Sequence, residues 1–292
     1  MPRSSILALL VLAACATHTP RPTETPRTAS AVGHFTSIPW GFETRSHWIE
    51  GPEGVIVIDT QFLPSEAERL LVEIARQTDK PVVLALVLHA NPDKFNGADV
   101  FRAHGIPVTT SAQVLAAIPE VAEKRRRAFL ARYAPDYPTT DPVLESFGDA
   151  TRTLDVAGLH LTLHVLGRGC SEAHVAVQWN DHLFVGDLGI SQTHAWLELG
   201  YVDAWIARLD ELSALRPRHV HPGRGPSGGP ELLATSRAYL EDVRARVDAT
   251  PAEEPRHAAL SRLRREVREA HPDFGYPVFL FGLGAVLDGT RP

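Results

Sequence analysis

Residues 81–99 read "PVVLALVLHANPDKFNGAD". The run from Pro81 to His89 is continuously apolar up to its last residue, as expected of a strand buried on both faces. A helix is expected from about Gly97 to His104, stopping at Gly105, where glycine takes the left-handed cap conformation at no steric cost. Between them His89, Asn91 and Asp93 stand at alternating positions. Metal-binding loops have this form, although a second histidine would be expected at Asn91. A buried strand that hands polar side chains to a loop and a helix implies a layered α/β domain.

The rest of the chain supports that class. Trp40 to Glu50 and Val55 to Asp59 read as strands joined by a Gly-Pro-Glu-Gly turn. "PSEAERLLVEIARQT" (64–78) is a helix with Ser65 as its expected N-cap. "PVTTSAQV" (107–114) is a short strand leading into a long helix to about Tyr133. In the second half, "LHLTLHVLG" (159–167) alternates leucines with His160, Thr162 and His164, a strand with one polar face. "HVAVQWNDHLFVGD" (174–187) is a hairpin turning at Asn180-Asp181. Helices are expected over about 203–215, 230–247 and 258–270, with the strand "HVHPG" (219–223) after the first. Strands and helices in two halves imply two packed sheets with helices outside. Gly282-Leu283-Gly284 lacks the third glycine of a dinucleotide loop.

The chain has 292 residues, 44% hydrophobic and 22% charged, enough to bury a full core. Its formal net charge of −6 gives no reason to expect nucleic acid. The basic run Lys124 to Arg127 follows Glu120 and Glu123 by one helical turn, which reads as a solvated face. At the N-terminus, an early arginine precedes the apolar stretch Ile6 to Ala14, too short to span a bilayer as a mature helix. It ends in Leu12-Ala13-Ala14-Cys15, which resembles the lipobox of bacterial lipoproteins. The resemblance implies a signal over residues 1–15, lipidation of Cys15 and export, with the outer membrane as destination because Ala16 is not aspartate. Residues 16–33, rich in Thr, Pro and Ala, read as a tether, leaving 34–292 as one domain. Contact with a membrane would then be through the anchor alone. Cys170 would be the one remaining thiol in an oxidising compartment, either buried and inert or kept for reactivity or metal.

Four loops carry polar residues after apolar runs: "HANPDK" (89–94), "GRGCSEAH" (167–174), "FVGDLG" (184–189) and "HPGRGP" (221–226). Their order, together with "GVIVIDTQ" (54–61) and its helix, resembles the metallo-β-lactamase superfamily over about residues 34–248. That resemblance implies an αββα sandwich of two mixed β-sheets and a zinc hydrolase. Lys94 after Asp93 is similar to the β-lactamase branch. The ligands depart from the family: Asn91, Cys170 and Arg224 stand where it has histidines, while His89, Asp93 and Asp187 match. Asn91 is a poor zinc ligand, and a cysteine thiolate is a good one.

The residues therefore point to one zinc ion at most, held by His89, Asp93, Cys170 and Asp187, with Asn91 or His174 as an auxiliary ligand. Arg224, a guanidinium that cannot bind metal, is expected to replace the second cation and pair with Asp93 and Asp187. Lys94 or Arg224 would orient a small anionic substrate, with Asp93 as the third catalytic candidate. The leading expectation is an exported, β-lactamase-like hydrolase with an altered one-metal site. Two alternatives stay open: a non-catalytic relative binding an anionic ligand or partner in the cleft, and a metal-free activity at Cys170. A serine hydrolase is excluded for want of a nucleophile elbow. Asp93 could instead cap the helix that follows. His160 and His164 are expected to face solvent, and His221 to be structural.

Overall fold

A computed structural model describes residues 32–290. The signal and the lipidation of Cys15 lie outside the described residues. The first sheet is built from β1 (Val32–Thr36), β2 (Arg45–Glu50), β3 (Val55–Ile58), β4 (Val82–Leu86), β5 (Val108–Thr110) and β6 (Glu145–Ser146), in that order. β1, β2 and β3 pair antiparallel and the rest parallel, so the sheet is mixed. The second sheet runs in the order β11 (His219–Pro222), β10 (His182–Gly186), β9 (His174–Trp179), β8 (Leu159–Leu166), β7 (Arg152–Val156). It is antiparallel except for the β10–β11 pair.

Strand alternation splits the core into two clusters. Val175 and Val177 of β9 and Phe184 of β10 face the first sheet, in a cluster that also holds Val57 and Leu86. Their neighbours Ala176, Leu183 and Val185 face the other way. The first cluster is covered by α1 (Pro64–Gln77), α3 (Ala98–Ala103) and α4 (Ala112–Tyr133), with the short α2 (Pro92–Phe95) between α1 and α3 in the chain. The second is covered by α5 (Val202–Ala214), α6 (Glu231–Asp248), α7 (Arg256–Ala270) and α8 (Leu283–Thr290). Two mixed sheets with helices on the outer faces result, the αββα arrangement. Among the described residues no helix is long and apolar enough to cross a membrane.

Three local expectations need correction. β1 begins at Val32, inside the stretch read as tether, because it pairs with β2 from Val32↔Ile49 onward. Residues 39–41 form a 3-10 turn around Pro39, and Phe42 and Glu43 take left-handed backbone angles (φ 64° and 48°), so the strand opens only at Arg45. Ser65 does not cap α1: Pro64 occupies the first helical position and Leu63 the N-cap. The Asp136 carboxylate comes from a distant loop to accept the Ser65 amide at 3.0 Å, a favourable place for an anion.

Candidate metal centre

The polar loops converge at one edge of both sheets. His89 follows β4, Cys170 lies between β8 and β9, His174 opens β9, Asp187 follows β10 and Arg224 follows β11. A bridge between His89 and His174, with the Val175 amide donating to the Leu88 carbonyl at 2.7 Å, stitches the sheets together. It brings the two imidazoles to 5.2 Å between centroids.

The donor atoms of His89, Cys170 and His174 all lie within 4.8 Å of one another, and all three residues are buried. His174 Nδ1 is 3.0 Å from the Gly167 carbonyl, an arrangement that places its proton on Nδ1 and leaves Nε2 unprotonated. That Nε2 stands 3.2 Å from Cys170 Sγ and accepts its thiol proton. His89 is fully buried, and neither ring nitrogen has a hydrogen-bond partner among the described residues. Burial holds His89 and His174 neutral, with pKa values lowered to about 3 and about 4. Burial, with the Asp187 charge, keeps the Cys170 thiol protonated well above its ordinary range. Orphaned buried imidazole nitrogens are costly unless something binds them. One sulfur and two imidazoles suit a single zinc ion with a fourth position left over, so the residues present fit one ion.

They do not fit a second. Arg224 Nη1 reaches Asp187 Oδ2 at 2.5 Å and Nη2 reaches Asp93 Oδ2 at 2.7 Å. Its Nε donates to the Phe42 carbonyl at 3.1 Å. Lys94 Nζ lies 2.9 Å from Asp93 Oδ2 and 2.8 Å from Asp187 Oδ1, both of them ion pairs without hydrogen-bond angles. Burial alone would disfavour every charge here. The two cations nevertheless hold Asp187 well below the carboxylate range, and Asp93 below it too. The carboxylates in turn raise Arg224 and Lys94. Glycine is required beside the cluster, since a side chain at Gly223 would strike Asp187 Oδ1 and lie 2.6 Å from Lys94 Nζ.

Several sequence expectations change accordingly. Asp93 and Asp187 are engaged by cations rather than free to ligate, although Asp187 Oδ2 stays within 3.8 Å of His89 Nε2. His174, expected only as an auxiliary ligand, is the third member of the donor set. Lys94 is fully buried and cannot orient a substrate; as the neighbour of Asp93 at the start of α2, it turns into the protein. Arg224 is spent on two carboxylates. Asp93 lies inside α2 and does not cap α3, whose N-cap is Gly97, and Asn91 lines the cleft outside the donor set. The basic run is not a plain solvated face: Arg125 pairs with Glu198 and lies over Trp196 at 5.1 Å. His160 pairs with exposed Asp155, and His221 bonds His182 and Ser227.

Two features escaped the sequence reading. Asp59, at the end of β3, is buried, accepts the Leu88 amide at 2.9 Å and sits 3.9 Å from Lys94; burial raises its pKa to about 7. The motif containing it was visible, but its carboxyl read as a strand end. A cleft also opens over the ion pairs, walled by Phe42, Phe62, Phe129, Trp196 and Phe279, with Arg125 among its lining. These aromatics come from separate elements, so no local pattern announces them.

Comparison with known proteins agrees with this fold. The sequence profile of the metallo-β-lactamase superfamily matches residues 40–224, well over half the chain. Among solved structures, a metallo-β-lactamase from Pontibacter korlensis superposes with a TM-score of 0.59 at 23% identity, covering 73% of this chain and 96% of that one. The DIM-1 metallo-β-lactamase gives 0.58 at 18% identity, covering 73% and 94%. The FIM-1 enzyme from Pseudomonas aeruginosa, in its mono-zinc form, gives 0.55 at 19%, covering 72% and 89%. A linear primary-alkylsulfatase from a Pseudomonas species is 36% identical over 53 residues, 18% of this chain; the match spans only 10% of that protein. The chain belongs to the metallo-β-lactamase superfamily, a family typically of hydrolases.

Proposed function

We propose that this protein is a hydrolase with one zinc ion held by His89, Cys170 and His174, in which Arg224 and Lys94 stand in place of a second ion. The observation that carries the reading is the buried His89 imidazole, without a hydrogen-bond partner at either nitrogen among the described residues and within 4.8 Å of the Cys170 and His174 donors. When bound, the ion would supply a Lewis acid and lower the pKa of a water. A thiolate donor tempers that acidity, so slow turnover is expected. His174 is oriented by the Gly167 carbonyl, which aims its Nε2 at the donor set. Arg224 and Lys94 fix the Asp187 carboxylate in its ionised form beside His89. Held so far below neutral pH, Asp187 is a poor base and serves to orient.

The aromatic walls suit a substrate with an apolar body, while Arg125 supplies polarity. Small esters or amides with an apolar portion and a polar or anionic head fit this lining, and the local similarity to an alkylsulfatase supports the same class. For location, the N-terminal residues support an exported lipoprotein anchored through Cys15. Recovery in the soluble fraction by a Cys15→Ser variant tests that.

One observation favours a second reading, a binding protein without turnover: the three donors are buried, whereas a hydrolytic ion needs an open position. A screen of aryl esters, alkyl sulfates and a chromogenic β-lactam on zinc-loaded and chelated protein separates the two. Zinc-dependent hydrolysis that disappears in Cys170→Ser supports the hydrolase. Ligand binding without hydrolysis, indifferent to zinc, supports the binding protein.

A further inference from the structure

A second group of ligand atoms lies at the opposite ends of β10 and β11. His182 opens β10, His219 opens β11, and the two are register partners in the parallel pair. Their rings stack with centroids 4.5 Å apart. Asp181, in the hairpin turn just before, accepts the Arg218 and His219 amides at its carbonyl (2.9 and 3.0 Å), which ties the turn to the start of β11. The side-chain donors of Asp181, His182 and His219 all lie within 4.8 Å of one another. Solvent reaches them: the Asp181 and His182 side chains are 44% and 22% exposed, and His219 is exposed. Asp187 is five residues further along β10, roughly 16 Å away at about 3.3 Å per residue, so this group is separate from the metal centre.

A hydrogen-bonded relay stands behind the ligands. His182 Nδ1 is 2.9 Å from His221 Nε2, and His221 Nδ1 is 3.0 Å from Ser227 Oγ. In one direction, Nδ1–H of His182 donates to His221, and Nδ1–H of His221 donates to the serine oxygen. That leaves His182 Nε2 unprotonated, facing Asp181 and His219. The reverse direction would put a proton on that Nε2 with Asp181 Oδ1 3.8 Å away, too far for a hydrogen bond. An imidazole whose other nitrogen donates inward is how proteins present a metal ligand.

We propose that Asp181, His182 and His219 form a solvent-reached site for a borderline divalent transition ion, of the zinc and nickel class. Two imidazoles and one carboxylate favour such ions over magnesium or calcium, which take oxygen ligands. A bound ion would clamp the β9–β10 turn to β11 and stabilise the fold by mass action. The site does not depend on the proposed hydrolase chemistry.

Calorimetric titration with zinc chloride of the full chain carrying Cys170→Ser, which disables the central site, tests it. The expected result is one equivalent of zinc, with a higher Tm in its presence. Adding His219→Ala should remove both effects, Asp181→Asn should weaken binding about tenfold, and magnesium should not bind. Undiminished zinc binding in the His219→Ala variant, or none in Cys170→Ser alone, would overturn the proposal. His219 is exposed, so its alanine variant should keep the zinc-free Tm. If Cys170→Ser does not fold, the wild type must bind one more equivalent than His219→Ala. That difference persists even if the central site holds no ion.

Discussion

At the scale of single residues, Arg224 decides what the centre can be. Its guanidinium spans Asp93 and Asp187, both nearly removed from water, and Lys94 reaches the same two carboxylates. Removing one partner from a buried ionic cluster leaves charge uncompensated, at a cost of about 3–5 kcal/mol. Arg224→Met should therefore lower the urea midpoint by an amount corresponding to about that loss, whereas the exposed Arg237→Met should change it little. A drop no larger than that of the surface control would mean that Lys94 alone neutralises both acids. His89, Cys170 and Asp187 were legible as site residues because their loops follow strands in a recognisable order. The place of His174 in the donor group was legible only as that of an auxiliary candidate. It depends on the backbone bridge to His89 between two sheets, a contact that no spacing within either strand predicts. Lys94 read as a substrate partner because burial of a lysine depends on carboxylates from separate elements, Asp59, Asp93 and Asp187.

At the scale of elements, strand periodicity was the strongest signal. Leu159, Leu161 and Leu163 of β8 fall in the intersheet core, and His160 and Thr162 on its other face, as alternation requires. The hairpin turn at Asn180-Asp181 was equally readable, and Asn180 does take a left-handed angle (φ 52°). Asn180→Gly should keep or raise thermal stability by up to about 1 kcal/mol, and Asn180→Val should lower it, because a β-branched side chain resists that conformation. Equal melting temperatures for the two variants would show that the turn relaxes to another type. Helix starts were less legible: α1 is completed by Asp136, 71 residues from Ser65. The aromatic cleft was illegible for the same reason, since its walls are brought together by tertiary packing alone.

At the scale of the whole molecule, buried neutral histidines set the response to acid. His47, His89, His174, His194 and His221 all have pKa values below the ordinary 6.5, with burial the largest cause at each. The unfolded chain takes up these protons near pH 6.5 and the folded chain does not, so their stabilisation is complete above about 6.5 and is lost as pH falls. Asp59 opposes this: raised from 3.8 to about 7, it contributes fully below pH 4 and loses its contribution as pH rises through 7. Five groups outweigh one. The urea midpoint of metal-free protein should fall steadily between pH 6.5 and pH 4.5, and the fall should be steeper in Asp59→Asn. A flat profile would mean that the histidines charge without unfolding.

The central claim, one ion bound through Cys170, is tested most directly by cobalt substitution of the chelator-stripped full chain. The account predicts a thiolate-to-cobalt charge-transfer band in the near ultraviolet that is absent from Cys170→Ser and that saturates at one equivalent when the surface site is removed by His219→Ala. Cobalt spectra without that band in the wild type would contradict it, and the loop "LHANPDKFNGAD" (88–99) would then have kept its shape without its metal.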